Sequence, residues 1–369
     1  MKTTVTGMLR PLFTQLPLPQ PALFKLSYAL AIGIVLTPIR AHAAPDTTVE
    51  RPYENFSSYS TPNPVNGDVT DIYFPTLDNK VAADDLPIVL LLQGALVDKG
   101  FYSDYASQVA RYGFAVAVPN HFQTVPGAGD VLASEISQVQ TVVDHFVVES
   151  NDSDSPLSGK VDTEKLGLLG HSFGGAVGLS VIGEVCLPGF CIEPFERPEA
   201  LMGGAFFGAN LRDQNDVFPA IENEGIGISL IQGEQDGRAL PTNAERTFEQ
   251  IQTPPKALVT LNGVNHFGIT DVNVPEGAVP DPSSQSLSQE MSTETIARWS
   301  GLFLRGTVLE DQAALDYVFD AGEGLDPTVT NVEKQQVERQ QATSIPEPFS
   351  LIGVTGGLFA LVLLKRQKP

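Results

Sequence analysis

The sequence predicts an α/β protein, with a mostly parallel, doubly wound sheet and helices on both faces. Apolar runs of strand length alternate with amphipathic stretches through the middle of the chain, as parallel strands joined by crossover helices do. Several of these runs are apolar at every position, which suits strands covered on both faces. One run leads into Gly-x-Ser-x-Gly at 170–174 and then into a small-residue helix, the strand–turn–helix context that makes such a motif informative.

The elements follow in order. After a Pro- and Asn-rich lead-in from Arg51 to Gly67, Pro87 to Leu92 reads as a buried strand. Tyr102 to Tyr112 reads as a helix closed by Gly113, and Phe114 to Val118 as the next strand, ending at Pro119. From Val131 to Glu149 the apolar positions Ile136, Val139, Val143, Phe146 and Val147 share one helical face. Leu166 to Leu169, Ala200 to Phe207, Ile226 to Gln232 and Ala257 to Leu261 are further strands, with a helix from Pro241 to Ile251. Pro- and Ser-rich Val274 to Ser288 reads as a surface excursion. Glu290 to Leu304 and Glu310 to Phe319 read as closing helices. One catalytic domain, 44–321, is expected, followed by a polar, Gln-rich flexible stalk at 322–344.

The two ends read as address labels. Residues 1–43 carry Lys2, Arg10, Lys25 and Arg40 without an acid, then an apolar run from Leu26 to Leu36 and Ala41-His42-Ala43 ahead of Ala44, which is the pattern of a signal peptide. That run is about half the ~20 residues a membrane-spanning helix needs. At 345–369, Pro346-Glu347-Pro348 precedes an acid-free apolar stretch from Phe349 to Leu364 and then Lys365-Arg366-Gln367-Lys368. This resembles the PEP-CTERM sorting tail of bacterial surface proteins. The resemblance implies export across the inner membrane, a periplasmic, surface or secreted location, and an exosortase-type processing enzyme as partner. A plain C-terminal anchor helix is the other reading of the tail.

The net charge of −22 argues against nucleic acid as a partner and against anionic polymers as substrates. The cysteines are Cys186 and Cys191, either side of a Pro-Gly turn. In an exported protein a local disulfide is favoured over two free thiols. Closing so short a loop adds only ~2 kcal/mol. C-x4-C without further ligands is no zinc site, and the sequence calls for no metal and no cofactor. It sets no oligomeric state.

The chemistry centres on Leu166-Gly-Leu-Leu-Gly170-His-Ser172-Phe-Gly174-Gly175-Ala176. A turn this tight strains the serine and leaves no room for side chains two residues before or after it, so Ser172 reads as an exposed nucleophile. A hydroxyl needs a base, and the chain has five histidines. His42 leaves with the leader, and His145 lies on a helix before the motif. His171 is too close in sequence to reach back to the Ser172 hydroxyl. His121 follows a strand and is a candidate to line the cleft, but it precedes the serine and breaks the order Ser, acid, His of the α/β-hydrolase fold. His266 follows the last strand in the right order. Asp236, after the strand ending at Gln232, is the chosen acid, with Asp213, Asp216 and Glu234 as rivals. The oxyanion donors are assigned to the backbone amides of Phe173 and of Ala95, which follows Gly94, with Leu96 as the fallback.

Together the strand into Gln93-Gly94-Ala95, Gly159 to Lys165, the Gly170 to Gly175 turn, Gly233 to Asp236 and Asn265-His266-Phe267-Gly268 resemble the α/β-hydrolase esterases that include chlorophyllases, platelet-activating-factor acetylhydrolases and polyester hydrolases. The resemblance covers roughly residues 60 to 310. It departs from plant chlorophyllases, which carry Arg where Phe173 stands, and from polyester hydrolases, which have Trp or His and then Met. The expected activity is an exported serine hydrolase acting on a carboxylic ester through Ser172, His266 and Asp236. A small-molecule hydrophobic ester with a bulky or long-chain group is the expected substrate, because Ala95, Leu96, Phe173, Phe267 and Ile269 are apolar and no Arg or Lys adjoins them in sequence. A chlorophyllase-like release of phytol, a lipase or acetylhydrolase, a thioesterase or a peptidase are alternatives. A surface binding protein on a hydrolase scaffold is the non-enzymatic one.

Overall fold

A computed structural model describes residues 49–125, 129–187, 191 and 195–337. In chain order its strands are β1 (Asn55–Pro62), β2 (Val69–Leu77), β3 (Lys80–Val81), β4 (Leu86–Leu92), β5 (Ala115–Asn120), β6 (Phe122–Val125), β7 (Gly129–Leu132), β8 (Val161–His171), β9 (Leu201–Phe207), β10 (Gly227–Gly233), β11 (Lys256–Leu261) and β12 (Val329–Gln335). The helices are α1 (Ser103–Ala110), α2 (Gln138–Asn151), α3 (Phe173–Ile182), α4 (Pro241–Gln250), α5 (Gln289–Val308), α6 (Gln312–Asp316) and α7 (Gly322–Leu325).

The main sheet runs β1-β2-β5-β4-β8-β9-β10-β11-β12, and β3 pairs with β2. Its centre, from β5 to β11, is parallel. The edges are antiparallel: β1 and β2 on one side, β12 on the other. β6 and β7 form a separate hairpin. The architecture is therefore the predicted α/β class, a mostly parallel mixed sheet with helices on both faces.

Period-2 alternation explains the continuous apolar strands. Along β4, Leu86, Ile88, Leu90 and Leu92 point into a core with Val139 and Phe146 of α2, Val177 of α3 and Phe248 of α4. Val89 and Leu91 point into the opposite core, with Tyr105 and Val109 of α1 and Ile296 and Trp299 of α5. Each such side chain contributes roughly 1.5–3 kcal/mol on burial, so neither face of the central strands tolerates a polar replacement. The chain passes from β4 to β5 on one side and later sets β8 on the other. That reversal opens a crevice at the C-terminal ends of β4 and β8, where ligands bind in open α/β sheets.

Three expectations need correcting. The lead-in at 51–67 contains β1, an edge strand whose Ser- and Pro-containing sequence carries little apolar signal. The stretch expected as one helix from Val131 starts as the end of β7, and α2 begins only at Gln138. The stalk expected at 322–344 is in part structured: α7 and β12 occupy 322–335, and β12 pairs with β11. The domain boundary at 321 thus moves past Gln335. An edge strand can be this polar because one face and one edge stay in water, so Val329 and Val332 suffice to anchor it. Asp326, buried just before β12, accepts hydrogen bonds from Trp299 Nε1 (2.9 Å) and Arg298 (2.9 Å) and ties the segment to α5.

The expected signal peptide at 1–43, residues 338–344 of the stalk and the sorting tail at 345–369 lie outside the described residues. Among the described residues no helix is long and apolar enough to cross a membrane. Cys186 and Cys191 are joined as a disulfide, their Cα atoms 5.5 Å apart.

Candidate active site

Ser172 sits between β8 and α3 with φ 54° and ψ −118°, a conformation that costs a non-glycine residue about 1–3 kcal/mol. The turn is pinned on both sides: the Ser172 amide donates to Phe207 O (3.0 Å), and its carbonyl accepts from the Ala176 amide (3.1 Å). A Cβ on Gly174 would run into the carbonyls of Leu92 and Gln93 at the end of β4, so only glycine lets α3 start this close to the sheet.

His266 follows β11 and Asp236 follows β10, as the chain order required. Asp236 is a buried acceptor. Its Oδ1 takes the amides of Arg238 (2.9 Å) and Ala239 (2.7 Å), which fixes the carboxylate, and its Oδ2 lies 2.8 Å from His266 Nδ1. A carboxylate can only accept here, so Nδ1 carries the proton and Nε2 presents its lone pair. Ser172 Oγ donates to that Nε2 at 2.8 Å. Gly208, with φ +56°, lines the gap: a Cβ there would lie 2.9 Å from Asp236 Oδ2 and 3.2 Å from His266 Nδ1. The fold thus brings Ser172, His266 and Asp236 into one hydrogen-bonded relay. The rival acids are engaged elsewhere. Asp213 caps the amides of Asn215 and Val217, Asp216 pairs with Arg212 and Arg246, and Glu234 accepts from Thr330 Oγ1.

The loop after β4 supplies one clear amide. Gly94 N donates to the Tyr102 hydroxyl (2.8 Å), Leu96 N to Leu132 O (2.8 Å) and Val97 N to Gly94 O (3.2 Å). Leu96 is thereby removed as the fallback donor. The exposed Ala95 amide has no partner among the described residues. Phe173, immediately after the serine, opens α3 and lines the cleft beside Ser172.

The sequence had set His171 aside, yet it joins these parts. Its Nε2–H donates to the His266 carbonyl (2.9 Å), which can only accept, so Nδ1 is unprotonated and accepts from the Tyr102 hydroxyl (2.9 Å). The same hydroxyl accepts from Gly94 N. Burial pushes His171 well below the ordinary histidine value, and the charges of His266 and Arg238 push the same way. A neutral ring is what this bonding pattern requires. One chain of hydrogen bonds therefore links the loop of the candidate oxyanion donor to the backbone of the base. Asp281, in the loop read as a surface excursion, adds a second tie: its Oδ2 accepts from His266 N (2.8 Å) and Gly237 N (3.2 Å). No local motif marks Asp281, because its role depends on a loop folding back across residues distant in sequence.

His121 does not line the cleft. Its Nδ1 lies 2.8 Å from Asp68 and its Nε2 3.0 Å from Glu135. The cleft beside Ser172, about 270 Å³, is lined by Phe173, Ala176, Gly208, Asn210, Arg212, Arg238, Ala239 and His266. The expectation of an apolar wall without cations is thus corrected: Phe267 and Ile269 are buried in the core, and two arginines stand at the cleft. Adjacency in sequence misled, because Arg238 arrives from the turn that holds Asp236 and Arg212 from the segment after β9.

A family model for chlorophyllases matches residues 77–186. Chlorophyllase-1 of Arabidopsis thaliana is 28% identical over 149 residues, covering 40% of this chain and 42% of that protein. The chain therefore aligns with less than half of this relative's length. The family match takes in β4, the Ala95 loop and Ser172, and stops short of Asp236 and His266. It points to a hydrolase of the α/β type acting on esters.

Proposed function

We propose that the protein is a serine hydrolase cleaving a carboxylic ester without a metal. The observation that carries this reading is the relay from Ser172 Oγ through His266 to Asp236, with both links at 2.8 Å. Ser172 Oγ attacks the ester carbonyl carbon while its proton passes to His266 Nε2, and Asp236 stabilises the imidazolium that forms. The carbonyl oxygen, now negative, is stabilised by the amides of Ala95 and Phe173. In comparable sites one such donor is worth about 10²–10³ in kcat. The C–O bond then breaks, and the alcohol leaves with the proton from His266. Water attacks the acyl-serine with His266 as base, which releases the acid and restores the serine.

The test is covalent labelling with a fluorophosphonate, read by peptide mass, beside turnover of p-nitrophenyl acetate. The adduct is expected on Ser172, with both signals lost in Ser172→Ala and neither changed by EDTA. Labelling and turnover that persist in Ser172→Ala would sink the proposal. A protein that binds a surface without turnover would show no adduct.

The chlorophyllase match favours a second, narrower reading, in which the ester is the phytyl ester of chlorophyll. Phytol release from chlorophyll in detergent is the measurement. Turnover of p-nitrophenyl acetate without any phytol release would discard this narrower reading and leave the broader one.

A further inference from the structure

The arginines at the cleft are unusual for their surroundings. The chain has 22 Lys and Arg against 44 Asp and Glu, so a cation is expected to find a carboxylate. Arg238 does not: its Nη1 reaches only the Pro280 carbonyl, at 3.4 Å, and among the described residues its guanidinium forms no ion pair. Asp236, two residues before it in the same turn, and Asp281, next to Pro280, are already committed. Asp236 holds His266 and two backbone amides, and Asp281 holds the amides of His266, Gly237 and Ser283. Arg212 pairs with Asp216, but that carboxylate is shared with Arg246, so two cations face one anion. Arg238 and Arg212 both line the cleft that contains Ser172 and His266. Arg238 also bears on the ring packed beside His266: burial is the main cause that keeps His171 neutral, and the charge of Arg238 adds to it.

We propose that the cleft takes an ester bearing one further compact anion, a carboxylate or a phosphate-type group, and that Arg238 with Arg212 binds it. This rests on the serine hydrolase reading and names the substrate class of the same site. Guanidinium groups present paired donors that match both kinds of anion. The acidic body repels polyanions, while the cleft attracts a single small one. Recognition is thus limited to a substrate small enough for its charge to lie within the cleft.

The experiment compares kcat/KM for the mono-p-nitrophenyl ester of glutaric acid with that for its neutral methyl ester, and for p-nitrophenyl 4-phosphonobutanoate. The readout is the ratio of charged to neutral ester within each protein, so that any general loss of activity cancels. The native protein is expected to favour the charged ester about fivefold, the scale of an ion pair open to solvent, and to lose this preference with added salt. Arg238→Gln with Arg212→Gln should bring the ratio to one or below, and Arg238→Lys should retain part of it. A higher ratio for the glutarate ester assigns a carboxylate substrate, and a higher ratio for the phosphonate assigns a phosphate-type one. If the neutral ester is cleaved with Ser172 labelled and the native ratio is one or below, the anion subsite is overturned while the hydrolase reading stands. The subsite is likewise overturned if the double variant keeps the native ratio. If no ester is cleaved and Ser172 takes no label, the hydrolase reading fails and the subsite falls with it.

Discussion

His266 and His121 are both largely buried, and each has partners on both ring nitrogens, yet the fold gives them opposite chemistry. His266 has a carboxylate on one nitrogen and a hydroxyl on the other, 2.8 Å away in each case. It can hold one proton and accept another. His121 lies between two carboxylates, Asp68 at 2.8 Å and Glu135 at 3.0 Å. Both its nitrogens must donate to satisfy those partners, so it serves as a cation that joins the start of β2 to the segment before α2. The lesson is that a histidine's role is set by what faces its second nitrogen.

The largest effect is expected from altering the carboxylate that orients His266. Asp236→Asn leaves the shape intact but lets Nδ1 become an acceptor, which moves the ring proton to Nε2 and leaves no lone pair to accept from Ser172. A loss of about 10⁴ in kcat is expected, read as p-nitrophenyl acetate turnover in a variant whose circular dichroism is native. A loss under tenfold would mean that Asp236 is not the orienting acid.

A smaller effect is expected from Tyr102→Phe, which removes the hydroxyl joining Gly94 N to His171 Nδ1. Two buried groups lose a partner, at a cost of about 1–3 kcal/mol in stability. With His266 and the Ala95 loop less firmly held, kcat should fall by about tenfold with little change in KM. Unchanged kcat at reduced stability would show that this chain of hydrogen bonds supports the fold alone.

The smallest effect is expected at His121. Burial by itself would lower the His121 value, but the hydrogen bonds and charges of Asp68 and Glu135 together outweigh it and raise the value above the ordinary one. A raised folded-state value means that the stabilisation is full below about 6.5, the unfolded value, and is lost as pH rises through the folded value. His145 and His171 are shifted downward, so their contributions change on the acid side and leave this window clear. Native protein should lose stability as pH rises above about 6.5 and through the raised His121 value. His121→Gln should lack this slope and keep kcat within about twofold. Urea midpoints across the pH range would reveal it; parallel curves for the two proteins would refute the cation assignment.

The sequence by itself determined the parts whose physics is local. A strand buried on both faces must be apolar throughout, and a turn that strains Ser172 needs glycine beside it, so β4, β8 to β11 and the turn at Ser172 were legible. Chain order then placed His266 and Asp236 on the loops that meet it. The edges were less legible: β1 stays largely exposed and β12 buries only Val329 and Val332, so both carry little apolar signal and β12 passed for a stalk. Only the tertiary structure decided the pairings across distant segments. It set His121 between two acids and His171 under His266, and it drew Asp281 onto the base. It also turned Arg212 and Arg238 toward the cleft, where sequence neighbours had suggested an apolar wall. A side chain's charge and hydrogen bonds depend on the groups within about 3–4 Å of it, and in this fold those groups come from other elements of the chain.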